Sequence, residues 1–262
     1  MVAVAVAVMV ILGVTAGSAV ATPSAVGVKA RINGRDIASI NQNRPVRLRP
    51  DQQVIIDLTV TNNSARNLSV RSVNLNGVVL GLTFFAFETR IDLLVAPGAT
   101  ETTSFAVELI GLNGQATGLL PANLQLLGEH RNVISRRGFA TDVRGSMQSV
   151  YGVFGLLIAL ITVLFLLAAL IRLASHRMST NRWSRATRFG TAGLGLGLTL
   201  TFSLSAFRVL LPKPSSWLTI VFLSTIVLFI LGYLTPTPVT YADDFEENTQ
   251  PDNATAVTAP AR

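Results

Sequence analysis

The chain has 262 residues, enough for one or two domains. Half of them are hydrophobic and only 13% are charged, with a mean hydropathy of +0.51, which excludes an ordinary soluble protein. Cysteine is absent, so disulfides, thiol catalysis and cysteine zinc sites are excluded, and the net charge of +7 does not sit on one soluble face, because five arginines fall in one loop between apolar runs and the tail is acidic.

Residues 1–21 begin with the apolar run Val2 to Leu12 and close on Ala19-Val20-Ala21, the small-x-small pattern read by signal peptidase. The segment reads as an export signal or, if uncleaved, as a signal-anchor helix. Either reading places residue 22 outside the cytoplasm.

From residue 22 to 146 short runs of strand type are separated by turn residues. Val26 to Ile32 runs into Asn33-Gly34, a tight-turn pair because both residues tolerate positive φ. Pro45–Leu48, Val54–Thr61 and Leu68–Leu75 follow, the last meeting Asn76-Gly77. Next come Thr83–Phe87, Ile91–Val95, Thr103–Leu109, Leu124–Leu127 and Val133–Val143. Apolar and polar residues alternate, so one face of each strand is packed and the other wet. The expected fold is an extracytoplasmic all-β, immunoglobulin-like sandwich. Its aromatic concentration is Phe84, Phe85 and Phe87: either core filling or, in part, a patch for a partner or lipid.

Residues 147–235 read as an α-helical membrane domain of three transmembrane helices. Val150 to Ile171 carries no charge, and some 22 residues at about 1.5 Å each cross a bilayer core of roughly 30 Å. The helices are expected over about 150–173, 189–210 and 216–234, with a basic loop 174–188 between the first two. Arg172, Arg177, Arg182, Arg185 and Arg188 hold that loop in the cytoplasm and offer charge to anionic lipid. Tyr151, Trp217 and Tyr233 read as interface anchors, and Arg208 as a side chain snorkelling to the surface. Gly190, Gly193 and Gly197 line one helix face, for packing on a neighbouring helix of this chain or of a partner. The tail 236–262 is acidic and rich in Pro and Thr, and is expected to be disordered in the cytoplasm.

No catalytic constellation is present. His130 and His176 fall on opposite sides of the expected membrane, and no Asp, Glu, His or Lys lies within a span. No serine elbow occurs, so no catalytic, metal or cofactor site is expected. A membrane enzyme would need Asp142, Arg144, Arg208 and Lys213 to gather at the outer face.

Asp142-Val-Arg-Gly-Ser146 before Tyr151-Gly-Val-Phe-Gly155, with Leu231-Gly-Tyr-Leu-Thr-Pro-Thr-Pro238 at the end, resembles actinobacterial cell-envelope membrane proteins. The resemblance implies an accessory subunit of an envelope transport complex in the inner membrane. The functional expectation is a non-enzymatic scaffold, its partners being membrane lipids and a membrane protein. A lipid- or glycan-binding sensor is the alternative.

Overall fold

The computed structural model describes residues 25–175 and 181–235. The expected signal segment, Arg177, His176 and the tail 236–262 lie outside the described residues. The first part is a two-sheet β-sandwich. Its strands are β1 (Val26–Ile32), β2 (Arg35–Asp36), β3 (Val46–Leu48), β4 (Val54–Asn62) and β5 (Leu68–Val79). They continue as β6 (Leu82–Val95), β7 (Thr100–Val107), β8 (Gly118–Leu127) and β9 (Val133–Val143). One sheet runs β2-β1-β4-β7 and the other β3-β9-β8-β5-β6. All pairings are antiparallel except β3 with β9, where the chain has crossed from one sheet to the other.

Alternation builds the core. In β4, Val54, Ile56, Leu58 and Val60 point inward, and in β8 Leu120, Ala122, Leu124 and Leu126 face them across the gap. Each valine, leucine or isoleucine among them contributes about 1.5–3 kcal/mol on full burial. Asn33-Gly34 forms the expected turn, both residues at positive φ. Asn76-Gly77 does not. The chain reverses instead at Leu80-Gly81, with φ of 54° and 81°, and Gly77 stays inside β5. It stands opposite Phe85, and a Cβ there would land on the Phe85 ring. Glycine serves here as space for an aromatic ring.

The same region departs from strict alternation. Gly77 pairs with Phe85 and Val78 with Thr83, so Phe84 is the extra residue of a β-bulge. The bulge turns Phe84 toward the helices while Phe85 enters the sandwich core beside Phe87, ring centroids 6.1 Å apart. Phe84 and Phe85 are therefore buried within the chain and form no exposed patch. A second bulge, at Ile91-Asp92, joins the two runs expected here into one strand.

Three helices follow, each long and apolar enough to cross a membrane: α1 (Val150–Ala174), α2 (Arg182–Ala206) and α3 (Pro214–Leu234). Ser149 caps α1 and Asn181 caps α2, each accepting a backbone N–H of the first turn. Proline at the first position starts α3. The Asn181 cap starts α2 at Arg182 rather than at residue 189. Arg182, Arg185 and Arg188 thus belong to its first two turns, not to a loop.

Helix α2 lies between the other two and has a glycine face for each. Gly193 and Gly197 meet α3: a Cβ at Gly193 would come within 2.8 Å of the Thr225 Cα, and one at Gly197 within 2.5 Å of the Val221 Cα. Gly190 faces Phe229 on the same side. Gly195 lies about 200° around the helix from Gly193 and faces Thr162 of α1. There the Thr162 and Thr199 hydroxyls meet at 3.2 Å. The close backbone approach follows from small residues, as in other membrane helix pairs.

Gly77→Ala and Gly193→Val should each destabilise by about 1–3 kcal/mol, because neither site has room. Gly114→Ala, at an open position, should be neutral. Thermal unfolding in detergent, followed by circular dichroism, separates these outcomes. Equal melting temperatures for all three variants would contradict the packing described.

Candidate functional site at the joint between sandwich and helices

Strand β9 ends at Val143 and α1 begins at Val150. The connection between them is pinned. Arg144 N–H donates to the Leu48 carbonyl at 2.9 Å and Ser146 N–H to the Asn113 carbonyl at 3.1 Å. The Thr117 hydroxyl donates to the Gly145 carbonyl at 3.1 Å. The sandwich therefore sits directly on the helix ends.

An aromatic cluster fills the seam. The Phe84 ring stands edge-on to Tyr151, centroids 4.8 Å apart. Tyr151 reaches Phe202 at 5.1 Å, and Phe154 reaches Phe202 at 5.3 Å. Such pairs contribute about 0.5–1.5 kcal/mol each beyond area burial. Tyr151 is only 1% exposed, so it is no headgroup-level anchor. Its hydroxyl donates to Ser205 Oγ at 2.7 Å, and Ser205 donates to the Leu119 carbonyl at 2.6 Å. This buried relay ties α1, α2 and β8 together. The approach of α2 to β8 depends on Gly118, at φ 95°, where a Cβ would come within 2.7 Å of the Ala206 Cα.

An ion pair closes the other side. Helix α2 ends in a Schellman motif: Arg208 N–H donates to the Ser205 carbonyl and Val209 N–H to the Leu204 carbonyl. The position that usually holds glycine is Arg208, at φ 64°. Its Nε donates to Asp142 Oδ1 at 2.7 Å, while Arg144 reaches Asp142 Oδ2 at 2.8 Å. Arg208 is thus an ion-pair partner rather than a snorkelling side chain. The Asp142 side chain is only 6% exposed. A carboxylate so buried is tolerated because both oxygens are bonded to guanidinium groups. The strain at Arg208, about 1–2 kcal/mol for a non-glycine residue in this conformation, is held by the same pair.

Asp142, Arg144 and Arg208 therefore do come together, and Lys213 is exposed at the start of α3. Each Asp142 oxygen accepts from one guanidinium, so the carboxylate is held as the anion at the centre of the pair. Among the described residues no three His, Asp or Glu side chains gather as a metal site. His130 is exposed at the end of the sandwich far from the helices.

At the opposite end of the helices, Arg172, Arg182 and Arg188 are exposed. Arg185 is not: it is 1% exposed and donates to the Thr235 carbonyl at 2.9 Å. It sits against the negative end of the α3 dipole. Trp183 stands edge-on to Phe229 and Tyr233, both at 6.0 Å. Below Thr162, α1 parts from α2. No residue from Val163 to Ala174 is buried, and Thr191 and Thr187, one and two turns along from Gly195, are exposed.

Two hollows flank the joint. One, of about 370 Å³, is apolar and bordered by Tyr151, Gly155, Phe202 and Phe207 between α1 and α2. The other, of about 720 Å³, lies under β3 and the loop before it and is lined by Arg35, Arg44, Arg47, Arg49 and Asp142. Sequence reading missed Ser205 and Gly118, and it named Asp142, Arg144 and Arg208 only as a set that a membrane enzyme would need, not as an ion pair joining sandwich to helix. The doubled Phe84-Phe85 within an alternating run was the one local sign of the joint.

Fold and joint define a membrane β-sandwich protein whose sandwich is fixed to its helices. No family model matches the chain, and no curated protein matches it. Among solved structures it is similar to a Niemann-Pick type C2 protein from Japanese carpenter ant, with TM-score 0.32 and 10% identity over 45% of this chain and 94% of that one. It is also similar to the C-terminal domain of wzt, with TM-score 0.31 and 15% identity over 47% and 76% of the two chains.

Asp142→Asn and Arg208→Ala should each destabilise, with a coupling of about 1–3 kcal/mol in a double-mutant cycle. Arg208→Gly should be milder than Arg208→Ala by about 1 kcal/mol, since glycine relieves the strained φ. Chemical unfolding in detergent measures both; additive effects in the cycle would argue against the pair as a tie.

Proposed function

We propose that the chain is a non-enzymatic accessory or scaffold protein of a bacterial inner membrane, holding an extracytoplasmic sandwich in fixed orientation within a larger envelope assembly. The observation that carries this reading is the joint. The pinned linker, the aromatic cluster with its hydroxyl relay, and the ion pair together fix the sandwich to the helices, which suits a platform. The parted stretch of α1 supplies a docking surface. From Val163 to Ala174 no residue is buried and Arg172 is the one charge, and Thr187 and Thr191 are exposed on the facing side of α2 with hydroxyl oxygens that can still accept. A partner's membrane helix would fill that cleft through van der Waals packing and hydroxyl contacts.

The immunoglobulin-like reading of the sandwich is supported by its strand order. β1, β4 and β7 sit as strands A, B and E of such a domain, and β5, β8 and β9 as C, F and G. Topology rests on the charge rule. The arginines at the α1–α2 end would stay in the cytoplasm, which leaves the sandwich outside and the tail inside. The actinobacterial resemblance agrees with that placement.

Cysteine scanning tests the topology cleanly, because the chain has no cysteine of its own. In intact cells, an impermeant maleimide should label Glu101→Cys and spare Thr249→Cys; the reverse pattern would overturn it. For the partner, a photo-crosslinking residue at Phe165 and one at Thr191 should trap the same protein, while one at Val227 on α3 should trap lipid. Crosslinks to lipid alone at all three positions would remove the scaffold reading.

A further inference from the structure

The hollow under β3 is unlike the rest of the surface in charge and in place. Arg35, Arg44, Arg47 and Arg49 line it, against one carboxylate, Asp142, whose oxygens are already held by Arg208 and Arg144. Arg35 is fixed, its guanidinium donating to the Arg44 carbonyl at 2.8 Å and the Pro45 carbonyl at 3.1 Å. Arg49 has only a loose, exposed contact with Asp51 at 3.5 Å. Among the described residues, the Arg44 and Arg47 side chains meet no carboxylate. Four guanidinium groups around about 720 Å³ repel one another unless an anion enters. That volume lies within the roughly 300–1,000 Å³ of ligand sites. Guanidinium forks match phosphate oxygens two at a time.

The hollow is also held level with the helix ends. Its wall, Asp142, is bonded to Arg208 at the end of α2, and Gln42 in the bordering loop donates to the Val209 carbonyl at 3.3 Å. Phe207 and Val209, on either side of Arg208, are exposed apolar residues, and Phe207 borders the apolar groove. Charge and exposed apolar surface thus lie together at the sandwich-side ends of the helices.

We infer that this hollow binds the phosphate of an anionic membrane lipid headgroup, the acyl chains lying along the Phe207 side. Arg44 and Arg47 supply the free guanidinium groups, and Arg35 shapes the loop that presents them. The inference does not depend on the scaffold reading; it needs only that the helices cross a membrane.

The test uses the full chain in an uncharged detergent, titrated with dihexanoyl phosphatidylglycerol or with phosphatidylcholine of the same chain length. The readouts are melting temperature and native mass spectrometry. The glycerol lipid should raise the melting temperature and stay attached, and the choline lipid should do neither. R44Q/R47Q should weaken binding about tenfold or more. R71Q/R90Q, at a separate hollow near Glu129, should bind as the unaltered chain does. Both cavity arginines are exposed, so R44Q/R47Q without lipid should melt normally; if it does not, R47Q alone carries the test. Equal binding of the two lipids, or unchanged binding by R44Q/R47Q, would overturn the site. Competition by inorganic phosphate or glycerol phosphate at the lipid's own concentration would overturn the lipid source in favour of a soluble phosphate ester.

Discussion

Desolvation of the Asp142 carboxylate is the constraint on which the architecture turns. A charge buried this deeply is costly, by several kcal/mol, unless every oxygen finds a partner. Its partners come from two elements, Arg144 just beyond β9 and Arg208 just beyond α2. The end of the last strand and the end of the central helix must therefore lie within hydrogen-bond distance of each other. Once they do, Ser205 is brought under the Leu119 carbonyl and Tyr151 against both Ser205 and Phe84. Buried pairs of this kind contribute less to net stability than to a single geometry.

Helix α2 is the element that makes this arrangement possible. It carries glycine toward α3 on one side and toward α1 on the other, so both neighbours approach closely. It also ends in a strained residue that supplies the ion pair. The contact with α1 is confined to the half nearer the sandwich. Packing is thus dense beneath the sandwich and sparse at the far end, where α1 stands apart. The arginine-lined hollow and the apolar groove both border the dense end.

Much of the architecture was legible from local pattern. Alternation marks the strands because one face of each is buried, and length with hydropathy marks the helices. What was not legible depends on partners distant in the chain. Asn76-Gly77 has the chemistry of a turn, yet its glycine is needed for Phe85, and only the pairing of β5 with β6 reveals this. The tilt of Phe84 out of its strand follows from a bulge that alternation does not anticipate. Asn181 as a cap lengthened α2 beyond its charge-free run and drew Arg185 into the helix interface, where the end of α3 compensates its charge. Arg208 looked like an interface residue because its carboxylate lies 66 positions earlier. The arginines of the hollow lie close in sequence, Arg44, Arg47 and Arg49 within six residues, but only the pairing of β3 with β9 sets them beside Asp142 and the helix ends.

Sandwich and helices form one rigid unit. Spin labels at Glu101→Cys on β7 and Leu218→Cys on α3, both exposed, report it directly through pulsed electron–electron distance measurement in nanodiscs. A rigid joint gives a single narrow distance distribution that broadens when Asp142→Asn and Phe84→Ala are introduced together. A distribution already broad in the otherwise unaltered chain would contradict it.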